Sequence, residues 1–466
     1  MVTPEFISRL QFALTTIVHI IFPVLTMGLA PFLVYFTWKS IRSDNPVYKQ
    51  HRRFWSRIFG VGFVVGTITG LVLEFEFGTN WAAFSRAAGP VFGGPLAAEG
   101  MMAFFLESVF LGIFLFGRDR VGDRTYFLSA FLVALGSWLS ATWILVANSW
   151  MQNPQGYRVT SQGGRTVIEL TDPLAAYANP RFPWEFVHMQ NAAVLSVALL
   201  IAGISAYHVW TERDSDFWRT SLKIALVVML FTAPFQVLHG DAYARQIYRT
   251  QPEKFAAMEA VWETDSYVPE YIVAFPTTWD GLFNPRTREL FGIAIPGMAS
   301  WLASGGNPQA TIIGLEEYQD VGIPPVAIVF WSFRIMVALG FWFIVLAFWG
   351  NYRWWHGELF EDRLLMKSLM ASSVLGFIAV EVGWIVTEVG RQPWIIQGVM
   401  KTQAGVSPGL TVNEALFSFA GFIGGYTILL GVVLTIFWRL IKQGPPEIEE
   451  VTDETTDTGQ EVSSDV

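Results

Sequence analysis

The apolar residues of this chain gather into long runs separated by shorter polar connections. A run of about 20 such residues, wound as an α-helix, crosses the roughly 30 Å hydrocarbon core of a bilayer. Nine runs meet that length, near residues 12–36, 54–77, 95–117, 126–149, 184–209, 221–240, 325–349, 368–389 and 412–439. The expected fold class is therefore all-α, a polytopic membrane protein with nine transmembrane helices whose backbone groups are satisfied inside each helix. The first run is too long for a cleavable signal peptide and lacks a basic region before it, so it is expected to act as its own insertion signal.

Lysine and arginine then orient the helices. The connection after the first run holds Lys39, Arg42, Lys49, Arg52, Arg53 and Arg57, and the turns after runs 3, 5 and 7 hold Arg118, Arg213 and Arg353 with further bases. The other connections are longer and thinner in positive charge, which places the amino terminus outside and the carboxy terminus in the cytoplasm. Residues 241–324 make an outer connection of 84 residues, far beyond ordinary loop length and so expected to be functional. It opens with the helical-looking DAYARQIYRTQPEKFAAMEAVWETD and turns rich in Gly, Pro and aromatics. Residues 1–442 read as one transmembrane unit containing that loop, and 443–466 as an acidic, disordered cytoplasmic tail. The tail carries eight acids and no base, so the net charge of −9 leaves only −1 for the body.

Composition narrows the chemistry. The chain is 52% hydrophobic and 15% charged, and it has no cysteine. Disulfides, thiolate-held iron–sulfur clusters and covalent haem attachment are excluded, so a redox centre has to be held by His, Met or carboxylate. No internal repeat, nucleotide-binding glycine motif or nucleic-acid partner is indicated.

Ionisable residues inside the runs are the informative exceptions, because a carboxylate in hydrocarbon costs roughly 2.5–3.5 kcal/mol even on lenient scales. With the orientation above, His19, Glu99, His188, Arg334, Met336 and Glu388 all fall toward the outer end, and Glu107 lies deeper. Glu381, Trp384 and Glu388 are spaced i, i+3, i+7, on one helix face. Two His, one Met and several carboxylates at one depth fit axial ligation of haem. Arg9, Arg334 and Arg391 fit pairing with propionates, since Arg favours bidentate partners. Each residue has a plainer alternative: His19 and His188 as helix–helix hydrogen-bond partners, Met336 as core filler, Glu99 and Glu107 as structural ion pairs. Glu107 follows Glu99 by eight residues, two turns plus about 80°, so both can face one proton path. Ser140 and Asn148 either extend that path or bond neighbouring helices. Lys254 and Glu259 are open to polarising and deprotonating a substrate hydroxyl, or to being a solvated surface pair. His51 and His356 are expected to be solvated in inner loops.

The stretches SRLQFALTTIVHIIF, EFEFGTNW, PLAAEGMMAFFLES, GSWLSATWILVANSWMQNP, FVHM, QPEKFAAMEAVWET, FRIM and GWIVTEVGRQPW occur in this order. In them the chain resembles subunit I of cytochrome bd-type quinol oxidases over nearly its full length, the acidic tail excepted. The resemblance implies two four-helix bundles, spans 1–4 and 5–8, plus one peripheral helix. It implies two haem b and one haem d, or a third haem b in its place as in cyanide-insensitive relatives. His188 and Met336 would ligate the low-spin haem b, and His19 and Glu388 the two high-spin haems, with Glu99 beside them. Lys254 and Glu259 would bind quinol in the outer loop, which matches the short-loop branch of that family. The implied reaction is oxidation of quinol outside and reduction of O2 to water with protons from the cytoplasm, contributing to the proton motive force. The implied partners are subunit II, small single-span accessory subunits, quinol, O2 and membrane lipid. The resemblance leaves open ubiquinol against menaquinol and which of His19 and Glu388 serves which haem. Two competing readings are an ion- or proton-coupled transporter, whose intramembrane acids would carry the cation, and a cytochrome b with no oxygen site.

Overall fold

The computed structural model describes residues 2–211, 215–276 and 290–447. Thr3 caps the first helix by accepting from the Phe6 amide at 3.1 Å. From there α1 (Pro4–Arg42) runs 39 residues, about 58 Å at 1.5 Å per residue and well past a hydrocarbon core. Asn45 caps α2 (Pro46–Thr79) in the same way. The third span is composite: α3 (Ala82–Ala98), a π-helical turn (Glu99–Phe104) and α4 (Phe105–Phe116). α5 (Asp123–Gln152) follows, then an antiparallel hairpin of β1 (Tyr157–Gln162) and β2 (Arg165–Leu170), and the single turn α6 (Pro173–Tyr177). α7 (Phe182–Trp210) and α8 (Asp216–Thr250) are the next two spans.

The long connection is partly ordered by its own elements. α8 continues to Thr250, ten residues past the expected end of its span, and α9 (Pro252–Glu259) follows after a break at Gln251. Pro252 sits where no amide partner is needed and stops α8 from continuing. Two small antiparallel pairs join β3 (Asp265–Ser266) to β6 (Thr311–Ile312) and β4 (Glu270–Pro276) to β5 (Leu290–Ile295), with α10 (Met298–Ser304) between. α11 (Val326–Trp355) returns through the membrane. α12 (Arg363–Ser372) and α13 (Leu375–Val389) bend by 41° at their junction, so the eighth expected span is a broken one. β7 (Trp394–Ile396), β8 (Met400–Lys401) and the turn α14 (Thr402–Gly405) precede α15 (Val412–Gln443), whose start is a capping box between Thr411 and Glu414. Among the described residues eight single helices are long and apolar enough to span a bilayer, and the bent pair makes nine. The tail expected over 443–466 lies outside the described residues from 448 onward.

α1 is central and packs on α2, α5, α7 and α15. Its approach to α7 depends on Gly28, where a Cβ would fall 2.2 Å from the Ala193 carbonyl oxygen. α7 pairs with α8, and α11 packs on α8 and α13. α15 leans on α1 and α2 and leaves Phe417, Ile428 and Leu434 exposed, as expected of a helix sheathed in lipid or covered by another chain. One of the two histidines expected to be solvated is not. His51 lies inside α2 and is fully buried, between the Val47 carbonyl and the Ser221 hydroxyl and stacked on Phe217. The helix extends below the apolar run, so this position is packed protein and not loop. His356 does end exposed, against the Tyr352 ring.

Candidate functional site

At one end of the bundle, helix termini from four directions deliver a buried polar network. The carboxy-terminal ends of α5, α8 and α13 bring Gln152, Gln251 and Glu388, and the amino-terminal end of α7 brings Arg181 and Glu185. Asn148 donates to Glu388 at 2.8 Å, Gln152 donates to the same oxygen at 3.2 Å, and Arg391 takes the other oxygen. Arg181 pairs with Glu185 at 3.0 Å and donates to Gln251 at 2.7 Å. Lys254 is wholly buried and donates to Gln152 at 2.6 Å and Gln251 at 2.7 Å. Burial, with Arg181 and Arg391 nearby, holds its ammonium well below the usual lysine range, against the pull of Glu388 and Glu185. Three basic side chains thus face two carboxylates. Buried N–H groups remain without hydrogen-bond partners among the described residues on Arg181 (Nη2) and Arg391 (Nε and Nη1). Unpaired buried donors of this kind cost several kcal/mol unless an anion completes them. A propionate-bearing group fits that demand.

The candidate iron ligands sit against helical glycines. A Cβ at Gly70 would lie 3.1 Å from His19, one at Gly240 3.2 Å from His188, and one at Gly383 3.1 Å from the Met336 sulfur. Each glycine keeps a side of the ligand clear, as a planar macrocycle requires. The Thr69 hydroxyl donates to the Val65 carbonyl at 2.9 Å, so at 3.0 Å His19 Nδ1 is the donor and Thr69 the acceptor. This second contact leaves the lone pair on Nε2, the tautomer a ligand needs. His188 Nδ1 is buried without a partner, and its Nε2 lies 3.0 Å from Gln236. These residues fit haem. Glu381 also keeps a buried, unpartnered oxygen, and Trp384 packs beside it against Val24 and Met27. Arg9 does not join either group: it is partly exposed, 3.9 Å from Glu5.

Lys254 and Glu259 are separated by the helix that carries both. Five residues rotate by about 500°, so they leave α9 on different sides. Glu259 accepts from Arg334 of α11 at 2.6 Å, and Glu270 of β4 lies 3.3 Å from the same guanidinium.

On the third span, Ser140 donates to Glu99 at 2.8 Å and Ser137 donates to Glu107. Both serines belong to α5, three residues apart, so the two acids face one helix. The π turn between them explains this: its wider i→i+5 winding turns less per residue and removes the offset an ideal helix would leave. Asn148, two turns further along α5, donates instead to Glu388.

Sequence reasoning missed Arg181, Glu185, Gln152, Gln251, Ser137 and Glu270. An Arg/Glu pair at i, i+4 ahead of FVHM was a usable signal. The others are single polar residues whose partners lie far away in sequence.

Comparison with known proteins identifies the family. The family model for cytochrome bd terminal oxidase subunit I matches residues 7–445. Cytochrome bd ubiquinol oxidase subunit 1 of Bacillus subtilis (strain 168) is 36% identical over 446 residues, covering 94% of this chain and 93% of that protein. Cytochrome bd-II ubiquinol oxidase subunit 1 of Escherichia coli (strain K12) is 33% identical, covering 95% of this chain and 97% of that protein. The solved structure of the bd oxidase from Geobacillus thermodenitrificans superposes with a TM-score of 0.85 at 30% identity, over 95% of this chain and 99% of that one.

Proposed function

The chain belongs to the cytochrome bd terminal oxidase subunit I family, and from that premise we propose how its residues divide the work of quinol oxidation and O2 reduction. It is a haem-containing subunit of a terminal quinol oxidase in a bacterial plasma membrane, and it works with a subunit II, quinol and O2. Family membership sets aside the transporter reading. The observation that carries the rest is the buried excess of basic groups around Glu388, whose unpartnered N–H groups ask for propionates, with Tyr243 bridging from Arg181 to His188.

In this reading His188 and Met336 hold a low-spin haem b, and His19 and Glu388 serve two high-spin haems, one b and one d or b. Arg181, Arg391 and Arg334 supply propionate partners. When bound, the haems supply electron transfer and the site of O2 reduction. Asn148, Gln152 and Arg391 fix the Glu388 carboxylate from three sides, and Thr69 fixes the His19 tautomer. The end bearing α9 and β4 faces outward, where Glu259 accepts protons from the quinol headgroup as its electrons leave. Lys254 holds the glutamine pair that joins α5 to the loop. From the cytoplasmic side, Glu107 and Glu99, each hydrogen-bonded to an α5 serine, carry protons inward to the oxygen site. Outward release from quinol and uptake from the cytoplasm would build proton motive force. Small single-span subunits would cover remaining faces such as that of α15.

The test is O2 uptake by the purified two-subunit complex on adding quinol. The reading expects two quinols oxidised per O2, with water as product. Quinol oxidation without O2 consumption would instead support a cytochrome b passing electrons elsewhere.

A further inference from the structure

We infer that Glu270 is a proton-relay residue of the quinol site, sharing one proton with Glu259 and passing quinol protons from that buried carboxylate to the water outside. The inference rests on the proposed role of Glu259 as proton acceptor.

The geometry joins three elements of the chain. Arg334 of α11 reaches Glu259 of α9 with Nη2 at 2.6 Å and Glu270 of β4 with Nη1 at 3.3 Å. Two carboxylates thus face one guanidinium, and these are the charged groups that bear on Glu270. If both were ionised, an uncompensated negative charge would be buried, which is costly, so a proton shared by the pair is the favourable state. Burial and the neighbouring Glu259 push Glu270 up to about 9, with Arg334 pulling the other way. The side chain of Glu259 is 3% exposed and that of Glu270 is 18% exposed. A proton on Glu259 therefore has its exit through Glu270. Register pairing of Glu270 with Ile295 anchors the backbone that holds the relay in place.

The step balances as follows. Each quinol becomes quinone by losing two electrons, which the oxidase activity delivers to O2, and two protons. For each proton, a quinol O–H bond breaks and an O–H bond forms on Glu259. The O–H already on Glu270 breaks, releasing its proton to outer water. The new proton then crosses from Glu259 to Glu270. The pair ends as it began, with one proton. Because the folded-state affinity of Glu270 is raised, its proton is held at neutral pH and lost as pH rises through about 9.

The experiment measures quinol oxidation against pH in the intact complex for wild type, Glu270→Gln, Glu270→Asp and Glu259→Gln, with haem spectra recorded on each. The relay predicts that Glu270→Gln lowers kcat by about ten-fold or more at unchanged KM and removes the alkaline limb near pH 9. Glu270→Asp should restore most of kcat and move the limb to lower pH, since Asp is intrinsically more acidic by about 0.4 units. Wild-type kcat with the limb intact in Glu270→Gln overturns the relay, and so does a rise in KM alone. Should Glu270→Gln lack haem, the Asp variant decides, and an unmoved limb there overturns the relay. Full activity of Glu259→Gln would defeat the underlying quinol-site reading instead, a result distinguishable from failure at Glu270.

Discussion

At the scale of single residues, the two ligand candidates His188 and Met336 come from α7 and α11 and are each faced by a glycine of a neighbouring helix. Six-coordinate iron needs both axial donors, so His188→Ala and Met336→Leu are each expected to abolish the low-spin haem signal. Optical spectra of the purified variants check this, and a normal low-spin band in either one removes the assignment. Removing Arg181 should do broader damage. It would leave Glu185 as a buried unpaired charge, which costs about 3–5 kcal/mol, so Arg181→Ala is expected to lower the thermal midpoint and the yield of assembled complex. The types of most of these residues were readable in the sequence, since charge inside an apolar run announces itself. Their partners were not. Gln152, Gln251 and Glu388 meet across 99 residues in one hydrogen bond and 236 in another, and no local pattern encodes that meeting. Lys254 and Glu259, five residues apart, leave α9 on different sides and find different partners, which their spacing alone does not reveal.

At the scale of elements, the nine spans were legible because hydrocarbon thickness imposes a minimum length that composition alone reveals. Breaks inside spans were not. The bend between α12 and α13 and the π turn at Glu99–Phe104 occur in apolar sequence with no proline at the break. The π turn carries a consequence for proton delivery. In an unbroken α-helix of the same sequence Glu107 would lie about 80° from Glu99, so the turn is what lets both acids meet serines of α5. We expect Glu107→Leu to slow O2 consumption and proton uptake from the inner side while haem content is largely kept. Proton uptake by oriented vesicles reads this out. Wild-type uptake in Glu107→Leu would place the path elsewhere, for example in the partner subunit.

At the scale of the whole molecule, the orientation rests on the asymmetry of Lys and Arg, and the absence of cysteine makes it easy to test. A membrane-impermeant maleimide added to intact cells should label Ser161→Cys in the β1–β2 hairpin and leave Ser43→Cys, between α1 and α2, unlabelled. The reverse pattern would invert the quinol and proton sides together. The central claim is that this bundle encloses haem on both an electron-entry side and an oxygen-binding side. A reduced-minus-oxidised absorbance spectrum of the purified complex, recorded with and without CO, tests it most directly. The account predicts a low-spin b-type signal indifferent to CO, together with high-spin bands that CO displaces. A colourless protein, or haem bands that are all untouched by CO, would contradict it.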